Sequence, residues 1–142
     1  MKSNGACLWQ ERSAPAQNLV SLSHVGSHIT EAYRLLRTNL DFTALDNPLR
    51  KLLVTSALPQ EGKSTTSINT AIVLAQKGVR VLLIDADLRR PSIHKTLGMG
   101  PRSGLSNVLT GSATLQQAIA RSPILPNLFI LPAGTPPPNP AD

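Results

Sequence analysis

The chain has 142 residues, enough for one domain with its own core, and 41% hydrophobic against 15% charged residues marks it as globular rather than disordered. One cysteine, Cys7, excludes a disulfide framework within the chain and points to a reducing cytoplasm, and no apolar run approaches the roughly 20 residues that cross a bilayer. Fourteen Lys and Arg against eight Asp and Glu give +6, compatible with nucleic acid, with an anionic surface, or with one piece of a more neutral protein. Aromatics are only 3%, too sparse to interleave with basic residues as a single-strand platform requires, so no nucleic-acid partner is expected.

Residues 1–27 carry no periodicity and are expected to form a flexible N-terminal tail, without the apolar stretch of a secretory signal. From about Ile29 the apolar residues Ile29, Ala32, Leu35, Leu36 and Leu40 recur at helical spacing. Thr30 is the candidate N-cap, and Pro48 disfavours helix immediately before it. "KLLVTS" (51–56) is a near-continuous apolar run, as expected of a parallel strand buried on both faces. "KSTTSINTAIVLAQKG" predicts a helix with Ile68, Ala71, Ile72 and Ala75 facing inward and Gly78 at its end. "VRVLLID" predicts a second buried strand, which completes a right-handed βαβ unit. Short helical pieces are expected around "HKTLG", "GLSNVLTG" and "TLQQAIA", and "NLFILPAG" predicts a third strand. The proline-rich "TPPPNPAD" cannot continue a sheet.

Between the first strand and its helix lies "SALPQEGKST" (56–65), which fits [AG]xxxxGK[ST] with Ala57 in place of the first glycine. A loop in this setting aims backbone N–H groups at the point where a helix N-terminus favours an anion. Gln60, Glu61, Gly62, Lys63, Ser64 and Thr65 are therefore candidate nucleotide-binding residues. Lys63 would meet the β- and γ-phosphates, Ser64 would ligate Mg²⁺, and Gly62 would allow close backbone approach. Ala57 is compatible with that loop if its φ is negative, whereas Gln60 is uncomfortable if its φ is positive. Alone, the stretch could also be a plain strand–helix turn.

"VLLIDADLRRP" places Asp85 and Asp87 at the carboxyl end of the second strand, where open α/β sheets bind ligands. With i, i+2 spacing on a strand the two would share a face, which suits Mg²⁺ (held directly or through water) and a base for an acceptor hydroxyl. Which of them is base and which serves the metal stays open, as does a solvated turn. Arg89 and Arg90 could meet phosphate, an acidic partner or only solvent. Glu31, Arg34 and Arg37 lie on nearly one face of the first helix, which suits a partner as well as solvent.

The stretches "SALPQEGKST", "VLLIDADLRRP" and "EAYRLLRTNL" together resemble the bacterial tyrosine kinases of capsule and exopolysaccharide synthesis, over roughly Ile29 to Asp142. The resemblance implies a P-loop NTPase-like α/β fold, a parallel sheet flanked by helices, carrying Walker A and A′ motifs and unrelated to eukaryotic protein kinases. It implies an autokinase using ATP and Mg²⁺, with Lys63, Asp85 and Asp87 catalytic and Ser64, Asp85 and Asp87 at the metal. It also implies an E-x-x-R-x-x-R element at Glu31, Arg34 and Arg37 that joins subunits of a homo-oligomeric ring. The expected partner is a membrane polysaccharide co-polymerase, or chain-length determinant, at the inner face of the plasma membrane. Partitioning ATPases carry an extra lysine where Leu58 stands here, which argues against that alternative.

Two departures shape the expectation. The family's Walker B strand and C-terminal tyrosine cluster lie beyond the matched region, so residues 28–142 are expected to be the N-terminal part of a kinase domain with weak or no activity. In the resembling fold that strand lies between the Walker A and A′ strands, so a gap in the sheet is expected. Tyr33, the only tyrosine, is expected to pack or to sit at an interface rather than to accept phosphate. A non-catalytic nucleotide-binding module docking through Glu31, Arg34 and Arg37 is the second reading. His24, His28 and His94 lack metal-site spacing, Cys7 has no basic partner beyond Lys2, and Trp9 stands in a polar tail.

Overall fold

The structure, a computed structural model, describes residue 19, residues 27–43 and residues 48–136. The expected tail lies outside the described residues apart from Leu19 and Ser27, and Leu19 is buried in the core. Cys7, Trp9 and His24 also lie outside them, as do residues 137–142 of the proline-rich end.

The first helix, α1 (His28–Thr43), begins two residues before its expected cap Thr30. Ser27 is the residue outside the helix: its hydroxyl accepts the Thr30 N–H at 3.2 Å and its carbonyl accepts Glu31 N–H. Thr30 instead lies inside the first turn, fully buried. The expected core face of α1 is open: Ile29 and Leu35 are 55% and 62% exposed, and Ala32 and Leu36 are exposed too. The helix is attached elsewhere, by Arg37 donating to the Val73 carbonyl at 3.3 Å and by an Asp41–Lys77 ion pair at 2.7 Å.

The long central helix, α2 (Lys63–Gln76), forms as its pattern predicts, with Ile68, Ala71, Ile72 and Ala75 buried. Lys77 caps it and Gly78 follows at φ 91°, a left-handed turn that only glycine adopts at little cost. Strand β1 (Val81–Ile84) comes next, then three one-turn helices: α3 (Ile93–Thr96), α4 (Leu105–Leu109) and α5 (Leu115–Ala118). A two-residue strand β2 (Ala120–Arg121) and then β3 (Leu128–Leu131) complete the sheet.

The sheet order is β1-β3-β2. β1 and β3 are parallel, with Val81 opposite Leu128 and Ile84 opposite Leu131, while β2 adds a short antiparallel edge. The fold class is α/β as expected, with a mixed rather than wholly parallel sheet. Two expectations are corrected. Residues 51–56 run past without pairing in the sheet, and Leu53 is 85% exposed, because no strand lies beside them among the described residues. β1 is buried on one face only: Leu83 faces the core, whereas Leu82 and Ile84 stand exposed on the other side.

The core lies where α2 crosses β1 and β3. Ile68, Ala71, Ile72 and Ala75 meet Leu83, Leu128 and Ile130, with Ile93 of α3 and Leu97 just after it closing one end. Asn127 fixes the far end, its amide donating to the carbonyls of Ala75 and Val79, both at 2.7 Å. This packing holds the start of α2 and the end of β1 at the same edge.

Candidate functional site

The loop before α2 is a bent backbone braced by its own side chains. Glu61 accepts the Leu58 N–H at 3.0 Å, and the Ser56 hydroxyl donates to the Leu58 carbonyl at 3.0 Å. Gln60 adopts φ 64°, the left-handed region that its sequence position made uncomfortable, while Ala57 keeps a negative φ. Gly62 at φ 89° turns the chain into the helix, its carbonyl accepting Thr66 N–H at 2.8 Å. It brings no side-chain cap, so no cap occupies the first amides of α2.

Lys63 and Ser64 open the helix. The Lys63 ammonium rests on the Ser56 hydroxyl at 3.2 Å, part-buried beside the loop. Thr65 follows in the same turn, and its carbonyl accepts the Asn69 amide at 2.9 Å.

Asp85 is 4% exposed and accepts three backbone N–H groups: Asp87 on one oxygen at 3.2 Å, and Ser92 and Ile93 on the other at 3.2 and 3.1 Å. Loss of water raises its pKa above the ordinary 3.8, opposed by these three hydrogen bonds and reinforced by the neighbouring Asp87 charge. Asp87 does not share its face. The strand ends at Ile84, so the alternation that would pair the two acids does not reach residue 87. Asp87 is exposed and accepts the Arg90 N–H at 2.9 Å.

Ser92, which the sequence did not single out, joins the two motifs. Its hydroxyl lies 2.8 Å from the Ser64 hydroxyl, and its N–H is held by Asp85. A serine after a proline carries no local signal for this; the contact depends on how β1 and α2 pack.

The structure thus links Ser64 to Asp85 through Ser92, keeps the Lys63 ammonium on Ser56, with Gln60, Glu61 and Gly62 shaping the loop and Thr65 in the first turn of α2, and leaves Asp87 exposed. Arg89 and Arg90 line a separate cavity of about 760 Å³, together with His94, Lys95 and Arg102. Glu31 and Arg34 pair with each other at 2.6 Å on the exposed face of α1, whereas Arg37 is engaged with α2. Tyr33 is half-buried on α1.

Among the described residues no cluster of three His, Cys, Asp or Glu could hold a metal ion by itself. The oxygens at hand, a serine hydroxyl and a carboxylate, are hard donors of the kind Mg²⁺ takes when phosphates and water supply its other ligands. The donor set fits that ion.

A strand and a helix brought together around a Gly-Lys-Ser loop define an α/β domain of the P-loop type. The chain belongs to the AAA-domain family, whose sequence pattern matches residues 60–136, just over half of it. It is 41% identical over 126 residues to tyrosine-protein kinase YwqD of Bacillus subtilis, covering 89% of this chain and 53% of that protein. It is also 41% identical over 111 residues to tyrosine-protein kinase CpsD of Streptococcus agalactiae, covering 78% of this chain and 47% of the relative. Its fold is similar to the kinase domain of Escherichia coli tyrosine kinase ETK, with a TM-score of 0.84 and 31% identity, over 96% of this chain and 53% of that one. The expected kinship with bacterial tyrosine kinases is therefore established. The chain spans about half the length of these relatives. Among its described residues no helix is long and apolar enough to cross a membrane.

Proposed function

We propose that this chain is the nucleotide-binding part of a bacterial tyrosine autokinase domain of the exopolysaccharide type, using ATP and Mg²⁺. The observation that carries the reading is the link from Ser64, at a helix start without a side-chain cap and next to Lys63, through Ser92 to the buried Asp85.

The residues divide the work by position. Amides after Gly62 and the Lys63 ammonium would bind the β- and γ-phosphates, Lys63 leaving Ser56 to do so. The Ser64 hydroxyl and the Asp85 carboxylate, directly or through water, would hold Mg²⁺, which when bound neutralises phosphate charge. Asp87, exposed at the rim, is the better placed of the two acids to take the proton of an acceptor hydroxyl, and Asp85 to serve the metal. Gln60 and Glu61 hold the loop in shape, and Thr65 continues the phosphate-facing turn.

The exposed Ile29, Leu35 and Leu36 beside Glu31 and Arg34 support α1 as a contact surface, for a ring of copies or for a membrane co-polymerase. Such a partner would bring the domain to the inner membrane face. Transfer of labelled γ-phosphate from ATP to a tyrosine-bearing partner protein tests the catalytic reading. Phosphotyrosine that disappears in Asp87→Ala supports it. Nucleotide binding without any transfer to such a partner would favour a non-catalytic module instead.

A further inference from the structure

We propose that Ser92 is a positioning residue for the Ser64 hydroxyl, setting its orientation for a divalent cation. The proposal rests on the nucleotide-binding reading above. Ser92 occupies the N-cap position of α3, where a serine hydroxyl ordinarily accepts an N–H from the first turn. Here it makes no such bond. Asp85 instead holds the two amides at that helix start, one of its oxygens accepting both the Ser92 and the Ile93 N–H. The freed hydroxyl crosses to the other motif and meets Ser64 Oγ at 2.8 Å, across 28 positions of sequence.

The chemistry of two hydroxyls explains the use of this contact. In the structure Ser92 donates to Ser64, which fixes the Ser64 side chain toward the start of α3. When the Ser64 oxygen gives a lone pair to a cation, its proton has to point away from the metal and find an acceptor. Ser92 Oγ is already within reach and, as a hydroxyl, accepts as well as it donates. The hydrogen bond reverses direction while both oxygens keep their places. The Ser92 N–H on Asp85 ties the same residue to the acid expected to share the metal, so one side chain and one amide hold both oxygen donors in register.

The test measures fluorescent ADP binding with and without Mg²⁺ in the parent chain, Ser92→Ala, Ser92→Thr and Lys63→Ala, with a thermal melt of each. Ser92→Ala is expected to raise the Mg²⁺ concentration at half-saturation roughly 2- to 12-fold, the equivalent of one net hydrogen bond. Metal-free ADP affinity should stay at the parent value, the melting temperature should fall by no more than one net hydrogen bond accounts for, and Ser92→Thr should restore the Mg²⁺ dependence. Equal weakening with and without Mg²⁺, an unchanged Mg²⁺ dependence in Ser92→Ala, or no rescue by threonine would each overturn the positioning role. Failure of the nucleotide reading has a different signature: no ADP binding by the parent chain, or binding indifferent to Lys63→Ala, which would remove both claims together.

Discussion

Asp85 is held by opposing forces at a single carboxyl. Burial favours its neutral form, while three backbone N–H groups favour the charge, and burial is the larger influence. The folded protein therefore binds this proton more tightly than the unfolded chain does. The stability that the proton contributes is fully present below the ordinary pKa of 3.8 and is lost as pH rises through the folded value. Melts of the parent chain from acid to neutral pH should show that decline, and Asp85→Asn, which cannot ionise, should lack it. A parent curve parallel to that of Asp85→Asn would contradict the assignment. At this scale the sequence was partly legible. Gln60 stands where the loop needs a positive φ and takes it; Gly62 and Lys63 follow from the motif. The split between Asp85 and Asp87 was not visible, because it depends on the strand ending at Ile84. Ser92 was hidden for a related reason, its partner being set by packing rather than by neighbours in sequence.

Among elements, α2 could be read from its own pattern, since a buried helix satisfies its backbone internally and needs only an apolar face. The run "KLLVTS" could not. Its residue types favour a strand, but a strand exists only when another pairs with it, and residues 51–56 have no pairing in the sheet. β2 leaves no trace in the sequence for the opposite reason, being two residues long and defined wholly by its partner β3. The apolar residues of α1 are periodic in sequence, yet periodicity does not say which body they meet, and most of that face is open. Hydrogen exchange separates these cases. Amides of residues 51–56 should exchange fast, while those of β3, paired on both sides, should be among the most protected. Strong protection at 51–56 in the isolated chain would show that this segment is paired after all.

For the molecule as a whole, one arrangement joins fold and proposed function. The core between α2 and the β1–β3 pair sets the start of the helix beside the end of the strand, and the Ser64–Ser92–Asp85 chain of contacts bridges them. The open face of β1 and the exposed side of α1 lie outside that chain of contacts, α1 being held at Val73 and Lys77 toward the other end of α2. The central claim is thus that a phosphate site is already assembled in these residues. Calorimetry of ATP with Mg²⁺ on the 142-residue chain, with Lys63→Ala beside it, tests this most directly. The parent should bind, and loss of the charge-assisted contact should weaken affinity by roughly 1.5–3 kcal/mol, or about 10- to 150-fold. Equal affinity in the two proteins, or no heat from the folded parent chain, would contradict it.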